Sequence, residues 1–236
     1  MILIKLLIAH LIGDFFLQPQ KWVKDKEKKK LKSVWLYVHI AIHIALMFVI
    51  VWDLSFTILI LSIGLSHFII DATKLISQKK TTKRFWFFLD QFLHILAIIV
   101  LVYVLSDSFM FSSVSLSEHH LLLLFCLLVL TKPASIIMRT IFTKWDISKL
   151  TKNNKSLKDA GNYIGILERL LVFIFIVADH WEAVGFLITA KSVFRFGDLT
   201  ASKERKLTEY ILIGTLLSFS IAILISLLYL NIKSYV

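Results

Sequence analysis

The sequence predicts an all-α integral membrane protein, a polytopic bundle of about eight transmembrane helices with both termini on the outer side. Two observations favour this fold class. The 236-residue chain is 58% hydrophobic with a mean hydropathy of +0.79, which is more apolar surface than a soluble core of this size buries. Its charged residues are confined to short stretches between long apolar runs. The net charge of +11 therefore reflects loop topology and indicates no nucleic-acid partner.

Eight apolar runs account for the predicted spans, and most are long enough to cross roughly 30 Å of hydrocarbon. They cover residues 2–18, 34–52, 54–76, 86–106, 119–142, 162–179, 181–197 and 208–230. The first and seventh have about the minimum length for a span. The first carries His10 and Asp14, which is untypical of a signal peptide, so we interpret it as a retained helix. In the fifth, Lys132 and Pro133 predict a kinked or interfacial end.

The distribution of lysine and arginine predicts the orientation of these spans. Clusters of basic residues follow the first, third, fifth and seventh runs, whereas the stretches around Asp53, Asp107 and Asp179 are acidic or neutral. Cytoplasmic loops carry the excess of positive charge in membrane proteins. The basic connections are therefore predicted to face the cytoplasm, in a protein integral to the cytoplasmic membrane.

A single transmembrane domain is predicted over residues 1–236, because the sequence has no Pro/Gly-rich linker and no repeat of fixed period. Within it, residues 1–106 hold a polar site, residues 107–236 form a supporting half, and residues 143–161 form a cytoplasmic loop. The lone cysteine, Cys126, lies in an apolar run, which excludes an intrachain disulfide and a Cys-based zinc site. We interpret it as a packing residue.

Each of the first four runs carries a pair of polar residues four positions apart, which places both members on one helix face. The pairs are His10 with Asp14, His39 with His43, His67 with Asp71, and Asp90 with His94. Because a polar group in hydrocarbon costs several kcal/mol unless it is partnered, these faces should point into the bundle. At 1.5 Å per residue, the pairs form two layers, one about 8–10 Å from the basic ends and one about 6 Å deeper.

Imidazole and carboxylate groups are the usual ligands of zinc, manganese and iron, and inward-facing ligands in four-helix bundles build carboxylate-bridged two-metal sites. The eight residues therefore predict a site for one or two divalent transition-metal ions. Gln18 and Gln91 neighbour the cluster and are predicted to orient its ligands, with a helix cap or a backbone bond as the alternative. A proton- or ion-conducting network and purely structural hydrogen bonding are the alternative interpretations of the whole cluster.

Charged residues in the sixth and seventh runs predict an anion pocket. Arg169, Lys191 and Arg195 would bind a phosphate or pyrophosphate headgroup. Glu168 would act as a catalytic base, a ligand or an orienting partner. The alternative is an internal ion pair between Glu168 and either Lys191 or Arg195.

The sequence resembles the bacterial membrane family known as domain of unknown function 3307. The resemblance is carried by HLIGDFFLQ from His10 to Gln18, paired His39 and His43, HFIIDATK from His67 to Lys74, GFLITAKSVFRFGDL from Gly185 to Leu199, and ERKLTEYILIGTLLS from Glu204 to Ser218. It implies a membrane location and carries no established activity. In residue types alone, the chain is also similar to membrane-bound metal-dependent hydrolases, which place His and Asp on successive N-terminal helices.

The predicted function is a metal-dependent hydrolase that acts at the cytoplasmic leaflet on a phosphate or ester bond of a lipid or lipid-linked substrate. A metal-ion or proton transporter that uses the same cluster is the main alternative. A haem-binding or structural membrane protein is the third. Few polar residues continue into the outer half of the bundle, which argues against conduction, and the interleaved Asp residues argue against haem.

Overall fold

The computed structural model describes residues 2–105, 116–145, 159–196 and 205–234, and these residues form helices and their connections without a strand. The α-helices are α1 (Ile2–Leu11), α2 (Gln20–Lys29), α3 (Val34–Val51), α4 (Thr57–Ser77), α5 (Lys83–Leu105), α6 (Leu116–Leu130), α7 (Lys132–Phe142), α8 (Ala160–Val177), α9 (Trp181–Phe196) and α10 (Arg205–Ser234). A π-helix (Ile12–Phe16) continues α1, and short 3₁₀-helices cover Lys30–Lys32, Leu54–Phe56 and Lys80–Thr82. The predicted all-α class is confirmed.

Six helical stretches of the described chain are long and apolar enough to cross a membrane, which identifies a membrane protein. They are Val34–Val51, Leu54–Ser77, Lys80–Leu105, His119–Phe142, Ala160–Val177 and Thr208–Lys233. The stretches Ile2–Phe16 and Gln20–Lys32 meet at an angle of 83° and add a seventh if they are counted together. Helix α9 has 16 residues, about 24 Å at 1.5 Å per residue, and falls short of this criterion. Crossings by the predicted first and seventh spans stay predictions.

The predicted interruption near Lys132 and Pro133 is present inside the stretch His119–Phe142. Helix α6 ends at Leu130, and α7 begins at Lys132 with Pro133 in its first turn. A proline is tolerated there because the first N–H groups of a helix have no intrahelical acceptor. The break leaves the last carbonyls of α6 in need of other donors.

The chain divides into two compact units, Met1–Phe125 and Cys126–Val236, whereas the sequence predicts halves on either side of residue 106. In the second unit, α10 packs against α7 and α8, and α8 packs against α9. Cys126 is buried and free. Of the predicted loop 143–161, residues 146–158 lie outside the described residues.

In the first unit, α1, α3, α4 and α5 form a closed ring, in which α1 and α4 each pack against both α3 and α5. The buried face of each helix repeats at intervals of about four residues, as one face of an α-helix requires. On α5 this face consists of Asp90, His94, Ile98 and Val102. On each of the four helices the His and Asp residues lie toward one end of the buried face and apolar residues toward the other, with Leu36 and Leu75 also buried at the polar end.

The apolar half of this interior is one continuous core. It consists of Leu6, Ala9, Met47, Val51, Leu59, Ile60, Ile63, Ile98 and Val102. At this end, Asp53 closes the turn between α3 and α4, because its Oδ1 accepts a hydrogen bond of 2.9 Å from the Ser55 amide. That bond lowers the pKa of the Asp53 carboxyl.

Helix α2 packs across the other end of the ring, which we call the basic end because α2 and residues 78–83 lie there. Pro19 is extended and separates α2 from the π-helix. Lys30 Nζ donates to the Leu75 carbonyl, and the Glu27 carboxylate accepts from Gln78 at 3.2 Å and Lys83 at 2.6 Å. These contacts join α2 to the end of α4 and the start of α5.

Candidate metal centre

The π-helix positions Asp14 at the centre of the buried polar cluster. Single-turn π-helices are frequent at functional sites because they redirect side chains within an otherwise regular helix. Gly13, within this turn, faces the His43 ring, and a Cβ atom on Gly13 would lie 2.4 Å from His43 Cε1 and Nε2. The absence of a side chain at Gly13 is therefore what lets α1 approach α3 so closely.

The two oxygens of the Asp14 carboxylate face different neighbours. Oδ1 lies 3.1 Å from His43 Nε2, 3.2 Å from His39 Nε2 and 3.7 Å from His67 Nε2. Oδ2 accepts a hydrogen bond of 2.7 Å from Gln91 Nε2 and lies 3.8 Å from His10 Nε2. A carboxylate that offers each oxygen to a separate set of ligands is suited to bridge two ions.

Seven of the eight predicted ligands belong to groups whose donor atoms all lie within 4.8 Å of one another. The groups are Asp14 with His39, His43 and His67; His67 with Asp71 and His94; and Asp14 with Asp90 and His94. Zinc takes His and Asp ligands at about 2.0–2.2 Å, so ligand atoms on opposite sides of an ion lie roughly 4 Å apart. Small side-chain shifts would therefore close each group around an ion.

His10 is the predicted ligand outside these groups, although it lies against them. Its ring centroid is 5.3 Å from that of His94, 5.6 Å from that of His67 and 5.7 Å from that of His43. All five imidazoles of the cluster are at most 3% exposed. His10 thus extends the donor set toward the apolar core.

Four buried polar atoms of the cluster have no hydrogen-bond partner among the described residues: His10 Nδ1 and Nε2, His94 Nε2 and Asp90 Oδ1. A buried unpaired donor or acceptor costs about 1–3 kcal/mol. His94 Nδ1 lies 2.8 Å from the Asp90 carbonyl and donates its hydrogen to it, so Nε2 carries the lone pair. Metal-binding histidines are typically held in this way, and the unpaired atoms therefore fit a metal ion as the missing partner.

The two predicted layers of ligands are joined in the structure. Asp14 of the shallower layer lies against His43 of the deeper one, and His39 Nε2 is 3.3 Å from His67 Nε2 across the same boundary. The residues predicted to orient ligands are also in contact with them. Gln18 Nε2 lies 2.9 Å from His39 Nε2, and Gln91 donates to Asp14.

Two lysines that the sequence analysis did not single out contact the outer carboxylates of the cluster. Lys26 Nζ donates to Asp71 Oδ2 at 2.9 Å, and Lys74 Nζ donates to Asp90 Oδ2 at 2.7 Å. The spacing signal for Lys74 was available, because it follows His67 by seven positions and Asp71 by three on α4. Lys26 gives no such signal, since its position depends on the 83° bend before α2.

The charged residues predicted to bind substrate lie in the second unit. Lys191 Nζ lies 2.5 Å from Glu168 Oε2, so the ion pair considered as the alternative is present. Arg169 is 3% exposed and donates to the Leu130 and Thr131 carbonyls and to the hydroxyls of Ser135 and Ser218.

The contacts of Arg169 thus satisfy the end of α6. The side chain of Arg195 lies outside the described residues. The catalytic role of Glu168 and the substrate-binding roles of Arg169, Lys191 and Arg195 stay predictions.

Comparison with known proteins gives one family. A family model described as protein of unknown function (DUF3307) matches residues 2–123. The matched range contains the whole His/Asp cluster with Gln18, Gln91, Lys26 and Lys74, and it leaves out the C-terminal stretches 185–199 and 204–218. No curated protein and no solved structure matches the chain.

Proposed function

The chain belongs to the DUF3307 family of proteins of unknown function, and on that premise we propose that its first unit is a metal-dependent hydrolase. The bond cleaved is a phosphate or ester bond of a lipid or lipid-linked substrate. The observation that carries the proposal is that the Asp14 carboxylate belongs to two groups of ligand atoms, one with His39, His43 and His67 and one with Asp90 and His94. The unpaired atoms of His94 and Asp90 add to it.

Two divalent ions would supply an activated water and a clamp on the reacting oxygens. In this proposal His39, His43 and His67 would hold one ion and Asp90 with His94 would hold the other. Asp14, which belongs to both groups, and Asp71 would supply further carboxylate ligands. Gln91 fixes the Asp14 carboxylate through the bond to Oδ2, since outer hydrogen bonds of this kind orient metal ligands.

The proposed orientation has eight crossings, both termini outside, and the basic end in the cytoplasm. The lysine-rich α2 and residues 78–83 lie at the polar end of the ring. Basic segments of this kind face the cytoplasm, which supports this orientation. The metal centre would then open toward the cytoplasmic leaflet, where lipid headgroups are within reach.

The buried faces of the helices favour an enzyme over a transporter. Beyond the His and Asp residues, these faces continue as Met47, Val51, Ile98 and Val102. A conducting path would need polar groups or water at this depth. A site closed on one side by an apolar core suits chemistry at one face of the membrane.

The first test compares Asp14→Asn with Asp53→Asn, using metals per chain by mass spectrometry and turnover of phosphate-ester and carboxylic-ester lipids. We expect one or two transition-metal ions in the native protein, and at least about tenfold weaker metal retention with loss of turnover in Asp14→Asn. Asp53→Asn removes an exposed carboxylate at the other end of the ring, and asparagine caps helices equally well, so it should match the native protein. A native protein that binds no metal after supplementation with zinc and manganese overturns the proposal.

A further inference from the structure

We infer that Lys26 and Lys74 form the anion-binding part of the centre, and that the group it accepts is a phosphate, not a neutral carboxylic ester. The inference rests on the proposed metal centre and names its substrate class. It starts from the two lysine–carboxylate contacts at the basic side of the cluster.

Both lysines stand directly beside candidate ligands. The Lys26 side chain is 6% exposed and bonds to Asp71, and the Lys74 side chain is 24% exposed and bonds to Asp90. Each ammonium contacts Oδ2 of its partner, and Asp90 Oδ1 has no hydrogen-bond partner among the described residues. Each lysine is thus linked to the candidate metal site through a single carboxylate. A phosphate is held between cations placed in this way.

The charge of the centre points to an anionic substrate. Three carboxylates, those of Asp14, Asp71 and Asp90, and two ammonium groups lie in the cluster. With neutral imidazoles they leave one negative charge, which one divalent ion turns into one positive charge and two ions turn into three. Uncompensated charge is costly where water is scarce. A phosphate monoester brings about −1.5 to −2, whereas a carboxylic ester brings none.

A purely structural role would make the lysines neutralisers of Asp71 and Asp90. Burying two such ion pairs contributes little stability, since apolar residues of the same size often serve as well. Lys26 moreover lies on α2, outside the ring. Helix α2 is fixed across the basic end by the contacts of Glu27 and of Lys30 in the 3₁₀-helix that follows it. These features fit a cation that is positioned for a ligand.

The test is isothermal titration of inorganic phosphate onto the full-length, manganese-loaded protein in neutral detergent. We expect Lys26→Gln and Lys74→Gln each to weaken phosphate binding about tenfold or more, as loss of a charge-assisted hydrogen bond does. Lys29→Gln is the matched control, because Lys29 lies on the same helix, is exposed and pairs with Asp25, and it should bind phosphate like the native protein. Lys26→Arg keeps the charge and should recover part of the affinity.

Metal content, measured after each titration, separates this inference from the function on which it rests. Manganese retained with unchanged phosphate affinity in both Gln variants overturns the inference alone. Manganese lost from Lys26→Gln and Lys26→Arg together assigns Lys26 to the fold and also overturns it. A native protein that never binds manganese or zinc overturns the proposed function itself.

The source of the phosphate is distinguished by competition. Nanodiscs of phosphatidylcholine with phosphatidic acid should displace inorganic phosphate if a lipid headgroup is bound, and phosphatidylcholine nanodiscs without phosphatidic acid serve as the blank. Soluble glycerol 3-phosphate should displace it equally well if the phosphate comes from solution. Displacement by either supports the inference, and displacement by neither overturns it.

Discussion

The contact between Gly13 and the His43 ring makes the centre sensitive to a single methyl group. A Cβ on Gly13 would lie 2.4 Å from two atoms of the ring, so Gly13→Ala must displace His43 or separate α1 from α3. We expect a loss of about 1–3 kcal/mol in stability, as overpacking typically causes, and at least about tenfold weaker metal retention. Denaturation in detergent and metal content per chain measure the two effects.

Gly185→Ala is the control for this substitution. Gly185 lies in α9, and a Cβ there would meet no atom within 4 Å, so we expect a neutral effect or a gain of up to about 1 kcal/mol. A Gly13→Ala protein that keeps both its stability and its metal would contradict the geometry described for the π-helix.

For individual residues, the sequence indicated which His and Asp side chains meet, but it did not predict the position of the Asp14 carboxylate or the contact of Lys26. Spacing by four and matching depth brought His39, His43 and His67 to one place, because both rules depend only on regular helices in an apolar solvent. The two-sided position of Asp14 was not foreseen, since i→i+5 bonding in the π-helix departs from the 3.6-residue period. Lys26 was missed because a bend in the backbone brings it to Asp71.

Among the elements, the break between α6 and α7 depends on a donor from another helix. Arg169 on α8 donates 2.7 Å and 3.3 Å hydrogen bonds to the carbonyls of Leu130 and Thr131. We expect Arg169→Met to leave the Leu130 carbonyl without its donor, whereas the Thr131 carbonyl keeps its hydrogen bonds from the Ser135 amide and hydroxyl. The free energy of unfolding should fall by about 1–3 kcal/mol. Metal content should be unchanged, because Arg169 belongs to the other compact unit. Denaturation in detergent beside metal analysis tests this.

Arg139→Met provides the comparison, because Arg139 is an exposed arginine on α7 and its loss should change stability by no more than about 0.5 kcal/mol. If Arg169→Met instead unfolds like the native protein and raises KM in a working assay, the substrate-binding role predicted from the sequence is the correct one.

The element boundaries show which sequence signals are reliable. Long apolar runs predicted the helices that reach membrane length, because helices of this kind satisfy their own backbone in lipid. Helix α2 was treated as a loop, since its lysine-rich sequence has little apolar surface and its helix is fixed by contacts at Glu27 and Lys30. Helix α9 has too few residues for length to decide whether it crosses.

At the scale of the whole molecule, two features of the sequence agree. The distribution of lysines and the His/Asp cluster both place the candidate site at the basic end of the first unit. Sequence reasoning reached this arrangement from lysine counts and helix rise alone. It did not reach the division at Phe125 and Cys126, since packing preferences between helices in lipid depend on shape more than on hydrophobicity.

The orientation and the number of crossings can be tested together by cysteine labelling. Cys126 is the single cysteine, so a Cys126→Ala protein accepts one new cysteine at a time: Lys79→Cys, Asp53→Cys, or a cysteine added after Val236. With an impermeant maleimide on intact cells, we expect labelling at position 53 and at the C-terminus, and labelling at position 79 only after permeabilisation. The expected side of positions 53 and 79 follows from the positive-inside rule. The expected side of the C-terminus follows from the even number of crossings that eight spans give.

The three labels distinguish the orientation of the basic end from the number of crossings that follow it. If position 79 and the C-terminal cysteine both react only after permeabilisation, the number of crossings after position 79 is even, and α9, about 24 Å long, does not cross. If Lys79→Cys reacts in intact cells, the basic end faces outward, and a hydrolase at the cytoplasmic leaflet is excluded whatever the metal content. Lys79 lies between α4 and α5, which supply His67, Asp71, Asp90 and His94. Its side of the membrane is therefore also the side on which the proposed metal centre would open.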